Sequence, residues 1–260
     1  MQDTESTKQE TSQQRSRRGI YLLPNMITTA AMFSGFYAIV AAMDGRFEAA
    51  AVAIFIAMVL DGLDGRVARL TKTQSDFGVE YDSLSDMVCF GLAPALVVYE
   101  WSLRSMTSVG WAKLGWLAAF IYAASAALRL ARFNSQVATA EKAYFRGLPS
   151  PSAAGVLAGM VWAATDTGLT GESLVYVAFV LTIAMGLLMV SNIRYYSFKE
   201  INFKNRVPFV AVLIVVLVYV FASIDPPKVL FSGFLIYAIF GIVYTLVGIR
   251  SRRRARKRVE

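Results

Sequence analysis

The chain has 260 residues, 56% of them hydrophobic, whereas an ordinary soluble domain is about 45–50% apolar, so it reads as an integral membrane protein. Its net charge is +8, but apolar runs interrupt the basic groups, which argues against a nucleic-acid face and for anionic lipid headgroups as partner. With no histidine and one cysteine, Cys89, an internal disulfide is excluded and a general base must be a carboxylate, Lys, Tyr or a metal-bound hydroxide.

Residues 1–18 are polar and Gln/Ser/Thr-rich, and read as an unstructured or surface-bound tail. Behind Arg15, Arg17 and Arg18 the first apolar run continues too long for a cleaved signal peptide. Apolar runs follow at 22–43, 46–69, 82–101, 111–131, 152–168, 172–190, 207–224 and 229–249. Each approaches the roughly 20 residues of a spanning helix, which predicts an all-α polytopic protein of about eight transmembrane helices. Lys and Arg concentrate in alternate segments: the N-terminal tail, the stretches after the second, fourth and sixth runs, and the C-terminal tail. The positive-inside rule therefore puts both termini in the cytoplasm, together with the stretch 61–86.

The first run opens with LLPNMITT, where Pro24 suits a helix start and Asn25 and Thr28 can bond backbone or ligand. The second run ends in DGLDGRVARL, and the third opens around YDSLSDM. Asp61 and Asp64 are three apart and Asp82 and Asp86 four apart, so on helices each pair shares a face. Four acids at membrane-helix ends need compensating cations or water. Carboxylate oxygens without histidine suit a hard divalent metal, Mg2+ or Mn2+. Gly62, Gly65 and Gly78 permit close approach of a ligand, and Arg69 carries the planar fork suited to phosphate. The combination points to a metal-bound diphosphate.

Further along, ALRLARFNSQ (127–136), YFRGLPSPSAAG (144–155) and MVSNIRYYSFK (189–199) lie on the cytoplasmic side and are unusually rich in polar groups for connecting loops. Runs 207–224 and 229–249 have uncharged apolar centres and read as packing helices, and the basic block 250–260 as an anchor on the anionic leaflet.

In order, the acidic stretch spells Asp-x-x-Asp-Gly-x-x-Ala-Arg, eight residues, Gly, three residues, Asp, three residues, Asp, with Asp61, Asp64, Gly65, Ala68, Arg69, Gly78, Asp82 and Asp86 at the fixed positions. It resembles the signature of the CDP-alcohol phosphatidyltransferases, and the later stretches resemble those of the family's membrane-integral phosphatidylserine synthase branch. The resemblance implies a six-helix catalytic core within 19–206, flanked by a tail at 1–18, two added helices in 207–249 and a basic tail at 250–260. It implies transfer of a phosphatidyl group from CDP-diacylglycerol to L-serine, with two divalent metal ions held by Asp61, Asp64, Asp82 and Asp86. Asp86 would be the catalytic base and so the least tightly coordinated of the four. Arg69 with the backbone near Gly65 and Ala68 would hold the nucleotide phosphates, Gly78 would leave room for cytidine, and Asn25 and Thr28 would lie near CDP. Arg132, Asn134, Arg194 and Lys199 are candidates by position for the serine carboxylate. A homodimer in a bacterial inner membrane, with the site facing the cytoplasm and no nucleic-acid partner, completes the expectation.

Other readings stay open at this stage. The acceptor can be glycerol 3-phosphate or inositol phosphate, for which Arg129, Arg132 and Arg194 offer positive charge. An intramembrane prenyltransferase also holds a diphosphate between aspartate motifs, although those usually lie far apart in sequence. A divalent-cation transporter would spread its acids through the bilayer depth, whereas Glu48, Glu100 and Asp166 sit near run ends.

Overall fold

The computed structural model describes residues 3–71, 73–110, 112–136, 144–196, 220 and 223–256. Helix α1 (Asp3–Met43) continues through the polar segment expected to be unstructured. Residues 3–18 contain no Gly or Pro and many Glu, Gln, Lys and Arg, which are good helix formers. Pro24 therefore lies inside α1 and does not open it. The helix stops where Gly45 takes φ 74°, a left-handed conformation natural to glycine. Helix α2 (Phe47–Thr71) folds back against α1. The contact is made of small residues, with Ala31, Ala38, Ala41 and Ala42 facing Ala50, Ala53, Ile54 and Ala57 in the core. Ser34 adds a hydrogen bond from its hydroxyl to the Ala53 carbonyl at 2.8 Å.

A short turn leads to α3 (Asp76–Asp86), whose N-terminus is capped by Ser75 accepting from the Gly78 amide at 3.1 Å. This cap explains why the helix starts six residues before the apolar run at 82. A wide, π-helical turn, Met87–Leu92, joins α3 to α4 (Ala93–Trp101). Pro94 supplies the reason: it has no N–H for the carbonyl four residues back, that of Phe90. The buried Tyr122 hydroxyl donates to that carbonyl at 3.0 Å.

After a 3-10 segment, Leu103–Val109, come α5 (Ala112–Gln136), α6 (Ser150–Asp166), α7 (Val175–Val190) and α8 (Pro226–Arg256). Two short strands, β1 (Tyr144–Arg146) and β2 (Arg194–Tyr196), pair antiparallel with Phe145 opposite Tyr195 and tie the α5–α6 connection to the end of α7. Apart from this ribbon and short turns the described residues are helical. Among the described residues, four stretches are long and apolar enough to cross a membrane: Leu23–Met43, Asp76–Trp101, Lys113–Ser135 and Pro226–Thr245. Most of the run expected at 207–224 lies outside the described residues.

Helix α8 docks on α6 at two glycines. A Cβ on Gly159 would stand 2.9 Å from Phe231 Cα, and one on Gly155 would stand 2.7 Å from the Phe234 ring. Buried Tyr195 fills the space left by Gly241 and donates to the Ala238 carbonyl at 3.1 Å. Burial pushes its phenol up to about 12, so it remains a donor at ordinary pH.

Candidate metal centre

Asp61 and Asp64 sit one turn apart on α2, and Asp82 sits on α3 across from them. Each offers a carboxylate oxygen within 4.8 Å of the other two. Opposite ligands of an octahedral ion with bonds of about 2.0–2.1 Å are some 4.2 Å apart, so one hard cation can engage all three after at most a small inward shift of the side chains. Asp64 is 4% exposed, while Asp61 and Asp82 are half-buried.

Asp86, one turn beyond Asp82, stands beside this trio. Its carboxyl faces Asp61 and feels the charges of Asp82 and Arg129. Its Oδ1 is buried and accepts no hydrogen bond. Carboxyl groups this close hold together around a shared proton or a shared cation. An all-oxygen donor set with an orphaned buried acceptor at its edge fits a hard divalent ion.

The residues expected near the nucleotide divide into two groups. Gly62 and Gly65 have open space where a Cβ would stand, so the surface next to Asp61 and Asp64 is accessible. Ala68 is half-buried, and Arg69 is exposed in the last turn of α2. Gly78 faces α1, where its Cβ would lie 3.6 Å from Asn25 Oδ1, so those two candidates come together. Thr28 is buried, and its hydroxyl lies 2.6 Å from Asp64 Oδ2.

Among the serine candidates, Asn134 donates to the Ser83 hydroxyl at 3.0 Å, immediately beside Asp82. Arg132 reaches away, to Asn192 Oδ1 at 2.7 Å and the Val190 carbonyl at 3.4 Å. Arg194 lies in β2 opposite Arg146, and Lys199 lies outside the described residues.

Two further residues reach the site: Arg129, named from sequence only as a charge for a phosphorylated acceptor, and Tyr81, not singled out there. Arg129, one turn before Arg132, donates to buried Ser150 at 2.7 Å and puts its charge on Asp86. Its only signal in the sequence is an arginine placed inward of the helix end. Tyr81, half-buried on α3, shares a 2.8 Å hydrogen bond with Thr29 of α1, and nothing in the local pattern announces it.

A family model described as CDP-alcohol phosphatidyltransferase matches residues 21–188. The CDP-diacylglycerol–serine O-phosphatidyltransferase of Helicobacter pylori (strain J99) is 34% identical over 232 residues, covering 88% of this chain and 94% of that protein. The protein of the same name from Methanocaldococcus jannaschii is 35% identical over 195 residues, 75% of this chain and 83% of its own. The archaetidylserine synthase of Methanothermobacter thermautotrophicus is 34% identical over 175 residues, 66% and 69% of the two chains.

Proposed function

The chain belongs to the CDP-alcohol phosphatidyltransferase family, and from that membership we propose that it transfers the phosphatidyl group of CDP-diacylglycerol to L-serine, giving phosphatidylserine and CMP. The observation that carries this reading is the convergence of Asp61, Asp64 and Asp82, with the buried Oδ1 of Asp86 at their edge. Serine as acceptor is supported by relatives named for it, one of them matched over 94% of its length.

Asp61, Asp64 and Asp82, with Asp86 at their edge, would hold two divalent ions, Mg2+ or Mn2+. When bound, such ions neutralise the diphosphate and the departing phosphate of CMP. The serine hydroxyl oxygen forms a bond to the phosphorus that carries the diacylglycerol. The bond from that phosphorus to the bridging oxygen breaks, and CMP leaves with the electron pair. The serine proton passes to Asp86, whose Oδ1 is an acceptor with no other hydrogen bond. Arg69 and the open backbone at Gly65 and Ala68 receive the nucleotide phosphates, and Gly78 with Asn25 borders the cytidine. Arg132, Asn134, Arg194 and Lys199 remain the candidates for the serine carboxylate, with Asn134 favoured by its place beside Ser83.

The wider arrangement belongs to the same proposal. About eight helices span a bacterial inner membrane, with a six-helix core in 19–206, two added helices in 207–249, and tails at 1–18 and 250–260 in the cytoplasm. The alternation of basic segments supports a site open to the cytoplasm. A second copy completes a homodimer among anionic headgroups.

The test is CMP release from CDP-diacylglycerol by the purified protein with serine, glycerol 3-phosphate or inositol phosphate as acceptor. Release with serine alone is the expected result, and release with glycerol 3-phosphate but not serine overturns the acceptor assignment.

A further inference from the structure

We propose that Thr28 is a positioning residue: it holds the Asp64 carboxylate from behind, ties the two aspartate-bearing helices to α1, and does not contact the nucleotide. The inference rests on the reading that Asp61, Asp64 and Asp82 bind a divalent cation.

Thr28 is 4% exposed, too enclosed for a soluble group to reach its hydroxyl. That hydroxyl has one proton and two acceptors in range, Asp64 Oδ2 at 2.6 Å and the Pro24 carbonyl at 3.1 Å. The nearer, charged acceptor takes it, because hydrogen bonds to ionised groups are shorter and stronger. With Oδ2 engaged, the carboxylate cannot rotate freely, and Asp64 keeps an oxygen within 4.8 Å of carboxylate oxygens of Asp61 and Asp82.

The same residue works in the other direction through its backbone. Ser85, 2% exposed and lying between Asp82 and Asp86 on α3, donates to the Thr28 carbonyl at 3.3 Å. One turn further, the Cys89 thiol donates to the Ala31 carbonyl at 3.2 Å. Beyond that, Gly35 admits the cysteine, since a Cβ on Gly35 would stand 2.9 Å from its sulfur. Positions 28, 31 and 35 form one face of α1. Helix α1 thus acts as a jig, with Thr28 the point where a side chain grips α2 and a carbonyl grips α3. Outer partners of this kind typically change metal affinity by about 10- to 100-fold when removed.

The experiment measures Mn2+ binding by electron paramagnetic resonance on the purified, detergent-solubilised full chain without substrate, together with the KM for CDP-diacylglycerol at saturating Mn2+. It compares wild type, Asp61→Asn, Thr28→Val and Thr28→Ser. The expected result is Mn2+ binding weakened by roughly 10- to 100-fold in Thr28→Val, restored in Thr28→Ser, with KM for CDP-diacylglycerol changed by less than about twofold. Thr28→Ser keeps the hydroxyl and the fold, so wild-type binding there alongside weakened binding in Thr28→Val assigns the effect to the hydrogen bond. Wild-type Mn2+ binding in Thr28→Val overturns the inference, and so does a raised KM for CDP-diacylglycerol with Mn2+ binding unchanged. If wild type and Asp61→Asn bind Mn2+ equally, the metal reading itself fails. If Asp61→Asn loses binding while Thr28→Val keeps it, that reading survives and only the role of Thr28 falls.

Discussion

Around α1, polar side chains add hydrogen bonds to a contact otherwise made of small residues. Thr28 reaches Asp64, Ser34 reaches the Ala53 carbonyl, Ser85 reaches the Thr28 carbonyl and Thr29 meets Tyr81. Around α8 the helices meet where side chains are missing, with Phe231 and Phe234 against Gly159 and Gly155 and Tyr195 in the notch at Gly241. Within a bilayer, apolar helices gain nothing from leaving water, so either hydrogen bonding or close backbone approach must hold them. Hydrogen bonds fix the rotation of a group as well as its distance. The region that must orient carboxylates therefore adds several of them to its small-residue contact, while the region that only needs adhesion relies on glycine and aromatic shape, with the Tyr195 bond to the Ala238 carbonyl beside them.

The largest expected effect tests whether chemistry is confined to the first region. Asp61→Asn is expected to lower CMP release by more than about 100-fold, since losing even an outer partner of a metal costs roughly 10- to 100-fold. Its thermal melting should stay at or above that of wild type, because a crowded negative charge is removed. Gly159→Leu is the counterpart at α8. Overpacking against Phe231 should destabilise the protein by about 1–3 kcal/mol, seen as a lower melting temperature, with turnover per folded molecule retained. A matching loss of turnover in that variant would break the contrast.

Tyr122→Phe probes the boundary between the two regions. It leaves the Phe90 carbonyl, bared by Pro94, without its donor, at about 1–3 kcal/mol for an unsatisfied buried group. Because the wide turn follows Asp86 directly, a turnover loss of a few-fold should accompany the lower melting temperature. The smallest effect is expected from Asn134→Ala, about 0.5–1.5 kcal/mol for one neutral hydrogen bond. Steady-state kinetics would sharpen its role: a raised KM for serine marks a contact with the acceptor, and an unchanged KM marks Asn134 as support for Ser83.

The aspartates were legible because helix periodicity alone puts residues three and four apart on one face, and Asp61, Asp64 and Asp82 do converge. The first apolar run was legible too, but its helix extends through polar residues whose backbone propensity outweighs their lack of an apolar face. Contacts between distant positions were not legible. Thr28 reads locally as a helix-start residue, and its bond to Asp64 spans 36 positions. The wide turn at Met87–Leu92 depends on Pro94 and on Tyr122 from another helix. Arg132 reads as an interface cation near the acceptor, yet its guanidinium is committed to Asn192. Tertiary partners decided each of these cases, and a linear pattern carries no record of them.

The most direct test of the central claim is CMP release from CDP-diacylglycerol by the purified protein, with and without L-serine and with Mn2+ or Mg2+, in wild type and Asp86→Asn. The expected result is release that requires both serine and a divalent ion and that collapses in the variant while its fold survives. Release independent of the divalent ion, or undiminished in Asp86→Asn, would contradict it.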